Sequence, residues 1–149
     1  MQLINIRDNL DYLPIVMDMI YDEWGDGFSS SKESKLEKIK TAILDGGQYP
    51  QIYILKDNDI VVGSFAILEH ELKGCNLSPW LACVVVNRKL RGKGYGKILL
   101  QHIKSTIEQT CDKIYLTTKM VGFYEKIGFE FVQIVDNGEN NRLYKKEQK

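Results

Sequence analysis

The sequence predicts an α/β domain with a mixed, mostly antiparallel sheet flanked by helices, on three observations. An unbroken apolar run, Leu81-Ala82-Cys83-Val84-Val85-Val86, passes through a glycine-rich turn into a segment of helical periodicity from Tyr95 to Ile107. Strand segments joined by short polar turns lie on either side of that unit, at 52–68 and 129–145. No linker, repeat or low-complexity stretch interrupts the chain, so residues 1–149 read as one domain.

Each element has its own signal. Leu3 to Ile6 reads as a short first strand. Leu10, Leu13, Met17, Ile20 and Tyr21 share a helical face through Trp24, with Pro14 tolerable in the first turn. Ser29-Ser30-Ser31 supplies an N-cap for a second helix, whose Leu36, Ile39, Ile43 and Leu44 recur before Gly46-Gly47 stops it. Ile52–Leu55 and Ile60–Leu68 form a hairpin around Asp57-Asn58-Asp59, and Gly63 inside the second strand marks a bulge or a close approach. Strand 79–87 feeds the glycine loop and a helix to about Gln109, whose Tyr95, Leu99, Ile103 and Ile107 make one stripe. Ile114–Thr118 is a strand, Met120–Ile127 a short helix, and Gly128 its C′ residue. Phe129–Val135 and Asn141–Lys145 pair around Asn137-Gly138, a strong hairpin dipeptide.

Composition narrows the function classes. Hydrophobic content of 44% and charged content of 27% are ordinary for a globular domain. Zero net charge and a pI near 6.7 give no general attraction to nucleic acid or to a membrane surface. No apolar run approaches the ~20 residues that span a bilayer, and the N-terminus lacks a signal-peptide pattern. Cys75, Cys83 and Cys111 are an odd number without metal-type spacing. They read as reduced thiols of a cytoplasmic protein, with no metal expected.

The chemistry concentrates in Arg88-Lys89-Leu90-Arg91-Gly92-Lys93-Gly94-Tyr95-Gly96-Lys97, five cations in ten residues with no acid. A glycine turn opening a helix leaves backbone N–H groups unpaired and aimed at an anion, and the missing Cβ atoms let a phosphate approach. Two familiar phosphate loops fail on spacing. A Walker loop needs Ser or Thr where Ile98 stands, and a dinucleotide loop needs one more residue than Gly92-x-Gly94-x-Gly96 provides.

What fits is Arg91-x-x-Gly94-x-Gly96, which resembles the R/Q-x-x-G-x-G/A signature of the GCN5-related N-acetyltransferases (GNAT). The resemblance covers about residues 60 to 135. Ser78–Val86 looks like that family's fourth strand, and Tyr115–Thr118 like its fifth. Gly122-Phe123-Tyr124-Glu125-Lys126-Ile127-Gly128-Phe129 looks like its F-Y-x-x-x-G-F ending. The resemblance implies splayed central strands and acetyl-CoA as co-substrate. The pyrophosphate is expected on the backbone N–H groups of Gly92, Lys93, Gly94, Tyr95, Gly96 and Lys97, with Arg91 also among the coenzyme residues and the pantetheine arm along Val84, Val85 and Val86.

The resemblance also places Tyr124 at the general-acid position, where a phenol of pKa about 10 is a credible donor to a departing thiolate. The base is expected from Glu69 or Glu71 at the end of the third strand, with Glu69 taken first. A solvated strand end is the alternative for both. Cys83 reads as core, since nothing in local register would lower its pKa. Asp22, Glu23 and Asp26 with Tyr21, Trp24 and Phe28 suit a cationic amine, against the plainer reading of solvated acids at a helix end. The expected function is acetyl transfer from acetyl-CoA to a small-molecule or peptide amine by direct attack, in a monomer or weak homodimer. A non-catalytic acyl-CoA-binding regulatory module is the alternative.

Overall fold

The computed structural model describes residues 1–135 and 141–148, without the side chain of Asp26. Its strands are β1 (Gln2–Asn5), β2 (Gln51–Asp57), β3 (Ile60–Leu68), β4 (Trp80–Val86), β5 (Lys113–Thr118), β6 (Glu130–Val135) and β7 (Asn141–Glu147). The helices are α1 (Leu13–Trp24), α2 (Lys32–Leu44) and α3 (Tyr95–Thr110). One sheet runs in the order β1-β2-β3-β4-β5-β7-β6, with β4–β5 as its parallel pair. The predicted mixed, mostly antiparallel sheet is what forms.

The sheet divides the core. On one side Leu99, Leu100, Ile103 and Ile107 of α3 pack against Leu55, Phe65, Leu81, Ile114 and Leu116. That is the stripe of α3, and each fully buried side chain is worth about 1.5–3 kcal/mol. On the other side Leu13, Val16, Met17 and Ile20 of α1 pack against Ile52, Ile54, Ala66 and Val85. Ser31 caps α2 by accepting the Ser34 N–H at 3.1 Å, as the serine run predicts.

Two expectations change. Leu10–Tyr12 is a separate 3₁₀ turn, so the first helix begins at Leu13 with Pro14 in its first turn. The helix expected over Met120–Ile127 shrinks to one 3₁₀ turn, Tyr124–Ile127. Side chains take the donors a helix would have used: Thr118 Oγ1 accepts from the Met120 N–H and Glu125 Oε2 from the Gly122 N–H. Gly122, at φ +86°, also leaves the helical region. Gly128 does end that turn, at φ +98°. The Asn137-Gly138 turn lies outside the described residues, while β6 and β7 pair down to Val135 opposite Asn141.

Gly63 does what its position in a strand suggests. A Cβ there would lie 2.8 Å from the Val85 carbonyl oxygen and 3.1 Å from Leu99 Cδ2. The glycine therefore lets β3, β4 and α3 close on one another just beneath the glycine loop. The β2–β3 register also shifts beside it, between Leu55 and Lys56.

Candidate acyl-coenzyme site

β4 and β5 meet at a single register pair, Trp80 with Tyr115, supported by the Tyr115 N–H donating to the Pro79 carbonyl at 3.0 Å. Beyond it they separate. The β5-facing edge of Val84–Val86 thus has no strand partner among the described residues, and a bare strand edge is a template for another extended chain. A bulge aims this edge: Ser64 pairs with Val85 and Ala66 with Ala82, so Phe65 faces both Cys83 and Val84. Cys83 carries the turn at φ +55°.

Where β4 ends, the glycine loop turns the chain into α3. Gly92 and Gly94 have φ of +81° and +87°, a region only glycine visits without strain. Gly94 is the N-cap and no side chain caps α3, so the first N–H groups of the helix point outward unclaimed by a cap. Added Cβ atoms at Gly92, Gly94 and Gly96 would find nothing within 4 Å. That open space over uncapped N–H groups fits a phosphate. Tyr95 fixes the helix start from below through its hydroxyl to Asp57 Oδ2, at 2.9 Å.

Edge and cradle share one cleft of about 340 Å³. Val84, Val85, Val86, Arg91, Gly92, Gly94, Tyr95 and Gly96 line it, together with Tyr124. The structure thus brings eight of the ten expected coenzyme residues to one cavity; the side chains of Lys93 and Lys97 stand exposed outside its lining. Leu90, Leu99, Met120 and Phe123 complete the apolar wall. In the sequence Leu99 belongs to the helix stripe and Phe123 to the F-Y motif, and neither those signals nor the apolar character of Leu90 and Met120 points to the coenzyme.

Tyr124 is 6% exposed, stacked edge-on with Phe123 and Phe129. Its hydroxyl makes no hydrogen bond recorded among the described residues. Burial pushes the phenol up to about 12, because the phenolate would lose its water. Cys83 is half-buried on the α1 face, and burial, with the charge of Glu71, pushes its thiol up to about 11.

The two base candidates separate. The Glu69 side chain is 63% exposed and stands 3.7 Å from His70 Nε2, outside the cleft lining. Glu71 is likewise exposed and outside the cleft lining, but partial withdrawal of water raises its carboxyl above the usual range, with Lys35 pulling the other way. The charge of Glu71 also acts on the Cys83 thiol. The acids ending α1 are not all solvated. Glu23 is ion-paired with Arg91 and itself lines the cleft.

Among the described residues no group of three His, Cys, Asp or Glu side chains is placed to hold a metal, and no helix is long and apolar enough to cross a membrane.

Fold and cleft together define an α/β domain whose split sheet carries an anion cradle, built to receive an extended, phosphate-bearing ligand. A family model described as the acetyltransferase (GNAT) domain matches residues 48–131, more than half of the chain. The chain belongs to that family. No curated protein matches it by sequence. Among solved structures it is similar to an aminoglycoside 6'-N-acetyltransferase complexed with coenzyme A, at 16% identity and TM-score 0.71, covering 99% of this chain and 97% of that one. It is similar to a GNAT-family acetyltransferase from Staphylococcus aureus Mu50, at 21% identity and TM-score 0.66, covering 99% of both. A spermidine N-acetyltransferase chimera from Vibrio cholerae aligns at 15% identity and TM-score 0.69, over 98% of this chain and 94% of that one. At such identities the likeness speaks to the fold.

Proposed function

We propose that this protein is an acetyl-CoA-dependent N-acetyltransferase acting on a small cationic amine by direct attack. The carrying observation is the placement of a buried phenol, Tyr124, in the same cleft as the bare β4 edge and the uncapped α3 N-terminus. Acetyl-CoA supplies an acyl thioester. The N–H groups from Gly92 to Lys97 hold its pyrophosphate, and the backbone of Val84–Val86 pairs with its pantetheine arm.

Tyr124 keeps its proton at Oη throughout the working pH range, because burial disfavours the phenolate. It delivers that proton to the departing sulfur as the new C–N bond forms and the C–S bond breaks. Glu71, whose carboxyl is raised by loss of water, accepts the proton of the amine. This assignment prefers Glu71 to Glu69, whose neighbour is His70. Cys83 remains a thiol at working pH, so an acyl-cysteine detour lacks its nucleophile.

Two similar folds belong to acetyltransferases named for aminoglycoside and spermidine, both polycationic amines. That supports a cationic acceptor. The test is amine-dependent release of coenzyme A thiol from acetyl-CoA with polyamine, aminoglycoside and amino-acid acceptors. Amine-dependent release with a polycation sustains the proposal, and no release with any amine refutes it.

A further inference from the structure

The last turn of α1 carries Asp22 and Glu23 and no basic residue. Acids at that end oppose the helix dipole, whose negative pole lies there. Their compensation comes from the cradle. The Arg91 guanidinium is ion-paired with Glu23. Arg88 Nη2 stands 4.0 Å from the same carboxylate and donates to the Asp22 carbonyl oxygen at 2.8 Å. Arg91 is held in place as well, its Nε donating to the Val86 carbonyl oxygen at 3.3 Å. Glu23 lines the cleft with its side chain 29% exposed. A carboxylate already sits where the incoming pyrophosphate needs its cations.

Resting on the coenzyme reading above, we infer that Glu23 is a positioning residue that exchanges partners. The coenzyme phosphates draw Arg91 away, and the released carboxylate becomes the anchor for the cation of the acceptor. One guanidinium, pinned at Nε, cannot serve two adjacent anions without bringing them together, and their repulsion drives the exchange. Before coenzyme arrives, Glu23 is neutralised by Arg91 and holds a second cation weakly. Afterwards only Arg88, at 4.0 Å, remains beside it, at an acidic helix end. The coenzyme therefore binds first, and by linkage an acceptor cation tightens coenzyme binding by the same factor that coenzyme tightens the cation's. A Glu23 that merely oriented Arg91 for phosphate would give the opposite sign on removal.

Coenzyme A titrated calorimetrically into wild type, E23Q, R91Q and the double variant separates these cases, with and without saturating spermidine as the cation probe. E23Q should bind coenzyme A about two- to fivefold more tightly, the range for a half-exposed ion pair removed from competition. In the R91Q background that gain should vanish, since the competing pair is already gone. Spermidine should tighten coenzyme A binding to wild type and leave E23Q unmoved. An E23Q that binds coenzyme A equally or more weakly overturns the exchange, as does an equal gain in the R91Q background. A wild type indifferent to spermidine overturns the anchor. Failure of wild type to bind coenzyme A at all refutes instead the coenzyme reading on which the exchange rests.

Discussion

Gly96→Val separates the ligand's demand for glycine from the fold's. Gly96 is in the first turn of α3 with an ordinary φ, and a Cβ there meets nothing within 4 Å. Valine and glycine differ by only a few tenths of a kcal/mol in helix propensity, so the free protein should keep its melting temperature. The bound phosphate has no such tolerance, because the branched side chain stands over the N–H groups it needs. Losing one hydrogen bond to a charged group costs about 1.5–3 kcal/mol, which raises the coenzyme A Kd roughly 10- to 150-fold. Gly94 is a poorer probe: at φ +87° a side chain strains the backbone itself, at ~1–2 kcal/mol. Calorimetric titration with coenzyme A, paired with thermal unfolding, reads both quantities. A Gly96→Val variant that unfolds like wild type and binds coenzyme A within about twofold of it would refute the cradle.

Tyr124→Phe should lower kcat about 10- to 1,000-fold with coenzyme affinity nearly unchanged, read by steady-state kinetics beside calorimetry. With the phenol pushed up to about 12, kcat of wild type should show no alkaline fall until pH exceeds about 11; a fall centred near pH 8 would remove Tyr124 from the acid role. Glu71→Gln should cost roughly 100-fold in kcat and abolish an acid limb lying above the usual carboxylate range, because partial loss of water raises this carboxyl and the base works only when deprotonated. Glu69→Gln should change kcat by less than about twofold, and the reverse ranking would restore Glu69 as the base. Gly63→Ala places a Cβ 2.8 Å from the Val85 carbonyl oxygen, so denaturant unfolding should show a loss of about 1–3 kcal/mol.

The elements whose signals are local were legible in the sequence. The α3 stripe, the serine cap of α2 and the Gly128 terminus follow from periodicity and backbone chemistry within a few residues. The cradle was legible because glycine spacing answers directly to backbone approach. The Met120–Ile127 segment was misread because side chains of Thr118 and Glu125 claim its donors, a competition that hydrophobic spacing does not display. Long-range pairings were also hidden. Glu23 and Arg91 are 68 residues apart, and the sequence showed only acids and aromatics at a helix end. Glu69 and Glu71 differ by two positions and look alike as letters; both stand exposed, and only the path of the chain after β3 sets one beside His70 and lets the charge of the other act on Cys83.

The reaction proposed for this cleft is transfer of an acetyl group to an amine. Thiol release from acetyl-CoA, followed continuously while spermidine is titrated and with the product identified by mass spectrometry, tests it most directly. Acetyl transfer should give saturable release that requires both the amine and Tyr124, with acetylated amine formed in equal amount to free thiol. Coenzyme A binding without amine-dependent thiol release from any polyamine, aminoglycoside or amino acid would contradict it, leaving a domain that holds the coenzyme and does nothing with it.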